Sequence, residues 1–413
     1  MTARRIGSDI VLDRALGAHV WDDRGARYTD LSSSSGAAPL GAGHPPVVER
    51  VVAELRRHGG ILPESLSRAR LETAERLLGL FPWAGAAEFF RTGSCATTAA
   101  VRIARVHTGA RTVLTSGYHG WHDWQLQYRP ELALPDRDPD TFDFGYDLDE
   151  ARRLAAGRPG IAAVIITPEV NFFPPEHLRA VRAFASEHGA LLIVDEVMTG
   201  FRFAPGGFHT AAGVVPDLVA LSKGLANGTA LSAVVGSAEV MAAAGRTHMS
   251  NTYQREQTPF SAALATLDLL ADGTVLKRIE AVGELLMAGL DELFAATGTH
   301  AWAGTNPAMF DVVFADAAQG ERFFTALVGR GYLHSYGQRF LPSSALTDED
   351  AERFLRASAE TLREIRAPGP DRPAVLPVPV AQDFAAAYFA ATPRAVADWA
   401  VGHPALDCRG ADD

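Results

Sequence analysis

Between about Arg111 and Ser237 the chain alternates short, β-branched apolar runs with segments of helical period, and this alternation limits the possible folds more than any other feature. The runs are RTVLTS, IAAVIIT, LLIVDEV, DLVALSK and SAVVGS; DLDEARRLAAG and LRAVRAFASEHG lie between some of them, the second stopped by Gly189. Runs that stay apolar from end to end belong to strands covered on both faces. The pattern therefore predicts an α/β fold, with a mostly parallel central sheet and helices on both faces. Ligands of such sheets bind at the carboxyl ends of the strands. The residues closing the runs, Ser116 to Gly120, Thr167 to Asn171, Asp195 to Val197 and Ser222 to Gly224, are accordingly the first candidates for chemistry.

Charge and composition narrow the kind of ligand. The chain has 38 Lys and Arg against 49 Asp and Glu, a net charge of −11, with the basic residues scattered. That argues against a nucleic-acid groove and against adhesion to anionic membrane, and leaves small-molecule chemistry. With 47% hydrophobic residues the chain is built to fold,. Two cysteines, Cys95 and Cys408, make no disulfide framework, and MTARRIGSDI lacks the apolar stretch of a secretory signal, so a cytoplasmic setting is expected,. Apolar runs such as Ile161 to Ile166 fall far short of the roughly 20 residues of a membrane span.

One compositional break occurs, at RAPGPDRPAVLPVPV from Arg366 to Val380, where prolines oppose helix and central strand alike,. The irregular first 60 residues and the stretch after about Ala295 are expected to join as a small α+β domain made from both chain ends. The expected division is 1–60 and 296–365 for that domain, 61–295 for the large one, and 366–413 for a proline-rich linker with one or two helices interrupted at Pro393.

Several strand ends carry reactive side chains. ALLIVDEVMTGFR closes on Asp195 and Glu196; a carboxylate in a dry surround needs a cationic or donating partner, and a salt bridge or helix cap is the plainer use of either. PDLVALSKGLANG closes on Lys223, either a surface residue or a desolvated amine able to condense with carbonyls. Adjacent strand ends would direct Asp195 and Lys223 into one cleft. In FFRTGSCATTAAVRIARVHTG, the start Thr92-Gly93-Ser94 offers backbone amides to an anion, although a hydroxyl residue before a helix is commonly just a cap. SGYHGWHDW adds an aromatic, Tyr118, with His119 and His122, but nothing completes a metal set, so no metal is expected. No GxGxxG or GxxxxGKS is present. A phosphate cradle, a ring platform, a carboxylate and a lysine together complement pyridoxal phosphate.

LLIVDEVMTGFR, GVVPDLVALSKGLANG, SGYHGWHDW and the early GAHVWDDRGARYTDL with GAGHPPVV occur in an order that resembles the class III aminotransferases among the fold-type I pyridoxal phosphate enzymes. The likeness runs from about Ile10 to Leu362 and is closest to the glutamate-1-semialdehyde aminomutase-like branch. It implies that Lys223 is the Schiff-base lysine and Asp195 the partner of the pyridine nitrogen. It further implies Gly93 and Ser94 at the phosphate, Tyr118 stacked on the ring, Val197 on the opposite face, and Asn171 near the ring hydroxyl. Thr252 resembles a threonine that reaches the phosphate of the neighbouring subunit, which implies a homodimer with shared sites. Arg339 in GQRFLPSSALT resembles the arginine that clamps the carboxylate of the amino donor; Pro342 fits, and Ser343 replaces the usual second proline.

The departures from the family pattern bear on the substrate. Cys95 stands where relatives usually have Glu and is expected to be a buried neutral thiol. Small hydroxyl residues at Ser32 to Ser35 replace an aromatic, which predicts a roomier, more polar pocket with Ser34 facing the substrate. Together with Trp121 and Trp124 they suggest a bulky or polyhydroxylated acceptor such as an aminosugar, with Trp121 in contact. Arg255 and Glu256 in the long loop after Thr252 either bind substrate or pair with each other. The expected reaction moves an amino group from a small amino donor to a carbonyl acceptor. An aminomutase, epimerase or eliminase using the same lysine, and a non-catalytic cofactor-binding relative, are the alternatives.

Overall fold

A computed structural model describes residues 10–64, 66–127 and 138–365; the proline-rich break and the terminal helices expected after it lie outside them. The chain opens with three short strands, β1 (Leu12–Leu16), β2 (His19–Asp22) and β3 (Arg27–Asp30), paired antiparallel in that order. Strands β4 (Ala86–Phe90), β5 (Thr112–Ser116), β6 (Thr141–Asp143), β7 (Ile161–Ile166), β8 (Leu191–Asp195), β9 (Leu218–Leu221) and β10 (Ser232–Gly236) form one sheet in the spatial order β4-β10-β9-β8-β7-β5-β6. From β9 to β6 the neighbours run parallel; β10 runs antiparallel to both β9 and β4. All five runs read from the sequence are strands. SAVVGS, at β10, joins the sheet in the opposite sense, and the edge strands β4 and β6 carry no comparable apolar signal.

Both faces of this sheet are covered, and alternate residues of each strand go to opposite cores. Ala163, Ile165 and Ile193 pack with Ala96, Ala99, Ala100 and Ile103 of the helix Gly93–Thr108. Val164, Ile166, Leu192 and Val194 pack with Leu178, Val181 and Phe184 of the helix Pro175–Glu187. Each fully buried Val, Leu, Ile or Phe among them contributes about 1.5–3 kcal/mol relative to exposure, so a shift of register by one residue would mismatch both layers. That locks the level at which each strand ends.

After a strand pair β11 (Ala301–Ala303) and β12 (Val312–Phe314), strand β13 (Tyr332–Leu333) returns to the first sheet and pairs parallel with β3, Tyr332 opposite Thr29. Residues from both ends of the chain thus share one sheet, over an aromatic core that includes Phe310, Phe314, Phe323, Phe324, Phe340 and Phe354. Among the described residues no single helix is long and apolar enough to cross a membrane.

Candidate active site

Four parallel strands, β5, β7, β8 and β9, end on the same side of the sheet, and the residues just beyond them line one cleft. It is bounded by Gly93, Ser94, Tyr118, His119, Gly120, Thr167, Asp195, Val197, Met198, Lys223 and Arg339, and holds about 570 Å³ including the solvent at its mouth. Seven residues given a cofactor or substrate role from the sequence, Gly93, Ser94, Tyr118, Asp195, Val197, Lys223 and Arg339, line this cleft together.

The two carboxylates that close β8 diverge. Asp195 is buried beside the cleft: its Oδ1 accepts from the Val197 amide at 3.0 Å and its Oδ2 from His119 Nδ1 at 2.8 Å. An ionised carboxylate only accepts, so the proton of this pair sits on Nδ1. Glu196 points away and is consumed by the fold. It accepts from the Phe208 and His209 amides at 3.0 and 2.7 Å, from His209 Nδ1 at 2.8 Å, and from the Thr199 hydroxyl.

Lys223 follows β9 with a positive φ of 42°, a left-handed conformation that costs a non-glycine residue of order 1–3 kcal/mol and is found where function fixes a side chain,. Burial lowers its amine to about 8; Asp195 opposes the shift, and Arg202 and Arg339 reinforce it. About a tenth of the amine is therefore neutral at pH 7, far more than for an ordinary lysine, and neutral is the form a nucleophile needs,.

At the other end of the cleft, the helix Gly93–Thr108 begins with Thr92 as its cap, the hydroxyl accepting from the Cys95 amide at 3.2 Å. The Gly93 and Ser94 amides belong to the first turn, which helix bonding leaves to other partners. Gly93 is required by space: a Cβ there would lie 2.7 Å from Val197 Cγ1. Cys95 is half-buried, not buried as expected, and its sulfur accepts from the Thr92 hydroxyl at 3.1 Å.

The Arg339 wall differs from the expectation of an arginine waiting for a carboxylate. Its guanidinium already donates to Glu169 and, at 3.4 Å, to Asp311. Burial pushes the Glu169 carboxyl up, with Arg339 pulling the other way, while the two carboxylates hold Arg339 firmly protonated. Asn171 is part of this wall and does not line the cleft; it donates to Asp311 at 3.0 Å.

Three predicted contact residues stand outside the cleft lining of this single chain. Ser34 is exposed, and its amide donates to Asp30 at 2.6 Å within a left-handed turn in which Ser33, Ser34 and Ser35 have φ of 45°, 53° and 58°. Trp121 is 68% exposed and packs edge-on against His122. Thr252 is exposed at the start of the short turn Thr252–Arg255. Glu256 accepts from the Thr258 hydroxyl at 2.6 Å and lies 3.9 Å from Arg91, so its ion pair is with Arg91 and not with Arg255. His119 and Thr167 fall within the strand-end segments picked from the sequence, but neither carries an assigned role there beyond a rejected metal pair for His119, and Met198 lies just past such a segment. The need of buried Asp195 for a donor was the available signal for His119.

The chain matches the aminotransferase class-III family over residues 2–127 and 144–362. It belongs to the class-III aminotransferases. It is 41% identical over 359 residues to the 2'-deamino-2'-hydroxyneamine transaminase of Streptomyces kanamyceticus, covering 84% of this chain and 90% of that one. It is 34% identical to a glutamate-1-semialdehyde 2,1-aminomutase of Thermus thermophilus, covering 86% and 92% of the two chains. Among solved structures, the FumI protein of a Sphingopyxis species in its pyridoxal phosphate internal aldimine form superposes with a TM-score of 0.79 at 29% identity, over 86% of this chain and 88% of that one. The fold is thus that of the fold-type I enzymes, and the cofactor of this aminotransferase is pyridoxal phosphate. The cleft fits it: first-turn amides at one end, a slot kept open by Gly93 between helix and Val197, Tyr118 on the wall, and an amine of lowered basicity on Lys223.

Proposed function

We propose that this class-III aminotransferase works as a homodimer that moves an amino group from a small amino donor to a carbonyl of a polyhydroxylated, aminosugar-like acceptor. The observation that carries the reaction is the convergence of Lys223 and Asp195, from adjacent strands, on one cleft. The acceptor class is supported by the name of the relative at 41% identity and by the small hydroxyl residues Ser32 to Ser35 near the chain's start.

When bound, the cofactor supplies an aldehyde and an electron-accepting ring. Lys223 would hold the cofactor through Nζ, and the same amine would be placed to carry a proton to and from the substrate carbon. Asp195, fixed by Val197 and His119, keeps the ring nitrogen protonated. Gly93 and Ser94 hold the phosphate, and Thr252 reaches it from the neighbouring subunit. Tyr118 and Val197 enclose the ring and keep water from it. Arg339 receives the donor carboxylate, with Glu169 and Asp311 orienting the guanidinium. We assign the small domain to 1–60 and 296–365 and the large one to 61–295.

Incubation of the purified protein with amino acid donors and ketone forms of deaminated aminosugars tests this reading. The expected products are the aminated sugar and the matching keto acid, followed by mass spectrometry. Several relatives are aminomutases, and turnover without keto acid would favour an amino shift within one molecule.

A further inference from the structure

Thr167 follows β7 directly and lines the cleft while being only 6% exposed. Its hydroxyl oxygen lies 2.9 Å from the Tyr118 carbonyl oxygen, 3.2 Å from His119 Nδ1 and 3.3 Å from Asp195 Oδ2. These contacts cannot all be equal. A hydroxyl has one proton, and the proton on His119 Nδ1 is already directed to Asp195. The Tyr118 carbonyl, at 2.9 Å, is the nearest acceptor for the Thr167 proton, and Asp195 Oδ2, at 3.3 Å, is the second acceptor within reach of the same hydroxyl. The other side of Thr167 is held as well, since its carbonyl accepts from the buried Tyr146 hydroxyl at 2.9 Å. Around it, the charged and titratable groups facing the cleft are Asp195, Lys223, His119, Tyr118 and Arg339.

We propose that Thr167 is a positioning residue for the cofactor, its hydroxyl bracing the Tyr118-His119 backbone against Asp195 so that ring platform, histidine and carboxylate keep one spacing. The role goes beyond the set Lys223, Asp195, Gly93, Ser94, Tyr118, Val197 and Thr252, and it rests on the reading of this cleft as the cofactor site. The chemistry singles out the hydroxyl and not the bulk of the side chain. Valine has nearly the same shape and no donor, whereas serine keeps the donor and loses a methyl group.

The test compares Thr167→Val, Thr167→Ser and Thr167→Ala with the parent protein, each prepared without cofactor and titrated with pyridoxal phosphate while tryptophan fluorescence is followed. The pH midpoint of the bound cofactor's visible absorbance is the second readout, and melting temperature reports on folding. Loss of one such hydrogen bond predicts a dissociation constant raised about five- to tenfold in Thr167→Val, a displaced pH midpoint, and both properties near the parent in Thr167→Ser. Should the valine variant fail to fold, alanine, which also lacks the donor, must show the same loss. A hydroxyl-free variant that binds within twofold of the parent with an unmoved midpoint overturns the proposal, as does a serine variant as weak as the valine one. If the parent protein itself does not bind pyridoxal phosphate, it is the cofactor reading of the cleft that fails.

Discussion

His119 Nδ1 stands 2.8 Å from Asp195 Oδ2, with both side chains shielded from solvent, and the imidazole lies nearly parallel to Trp124 at 6.2 Å between centroids. A hydrogen bond to a buried carboxylate contributes about 1.5–3 kcal/mol. Replacing the ring by Leu leaves Asp195 short of a donor, so His119→Leu is expected to weaken cofactor binding by at least tenfold. His119→Asn, which can place an amide N–H near Nδ1, should recover part of it. Equilibrium titration of the cofactor-free variants measures both.

Lys223 gives a pH dependence. Its amine is lowered to about 8 from 10.5, so the neutral fraction rises with pH through 8 and is mostly reached while an ordinary lysine is still protonated. The rate at which cofactor-free protein captures pyridoxal phosphate should climb through that range and then level, measured by stopped-flow absorbance. Between pH 8 and 10.5 the unfolded chain holds more protons at this site than the folded one, so it makes stability rise with pH across that window,. Lys223→Met should remove this slope from denaturation curves and abolish the visible absorbance of bound cofactor.

Arg339 balances two buried carboxylates, Glu169 and Asp311. Arg339→Ala leaves both uncompensated, and removal of one partner from a buried ionic group costs about 3–5 kcal/mol. Chemical denaturation should show a loss of that order. Arg339→Lys should retain much of the stability while raising the KM for the amino donor, because an ammonium lacks the two-pronged geometry of guanidinium.

His334, buried among aromatic rings with one ring nitrogen facing the Gln338 carbonyl at 2.9 Å, is lowered to about 3 by burial. As pH falls below 6.5 the unfolded chain takes up a proton that the folded chain refuses, so stability declines from 6.5 toward 3,. His334→Phe should reduce the fall of the melting temperature over that interval by the part this imidazole contributes.

The shared site is open to a complementation test. A Lys223→Ala chain lacks the amine and a Thr252→Ala chain lacks the reach to the neighbouring phosphate. If sites are shared, a mixed dimer contains one site with both residues intact. Co-refolding the two variants should restore activity above that of either alone, toward a quarter of the parent level or below according to the mixing ratio; additive behaviour of the two variants would rule sharing out.

The sheet was legible because its strands are apolar on both faces, as Val164 and Ile165 illustrate by serving opposite cores. Lys223, Asp195 and Tyr118 were legible because each sits at or just past a strand end and parallel strands end on one side. What escaped depends on pairing across the chain. Nothing local to Arg339 announces that Glu169 and Asp311, far away in sequence, already occupy it. Asp195 and Glu196 are adjacent and alike in chemistry, and only the turn toward Phe208 separates their tasks. The contacts of Ser34, Trp121 and Thr252 depend on approaches that strand spacing does not encode.

The pairing of Tyr332 with Thr29 sets an order on biosynthesis. As the chain leaves the ribosome, strands β4 to β10 are complete long before β13, so the first-turn amides, Asp195 and Lys223 can assemble while β3 still has an unpaired edge. Exposed strand edges invite association with other chains, and a ligand that binds only folded protein stabilises it by mass action. Pyridoxal phosphate bound in the completed cleft stabilises the folded chain in this way, so the melting temperature should rise with cofactor concentration.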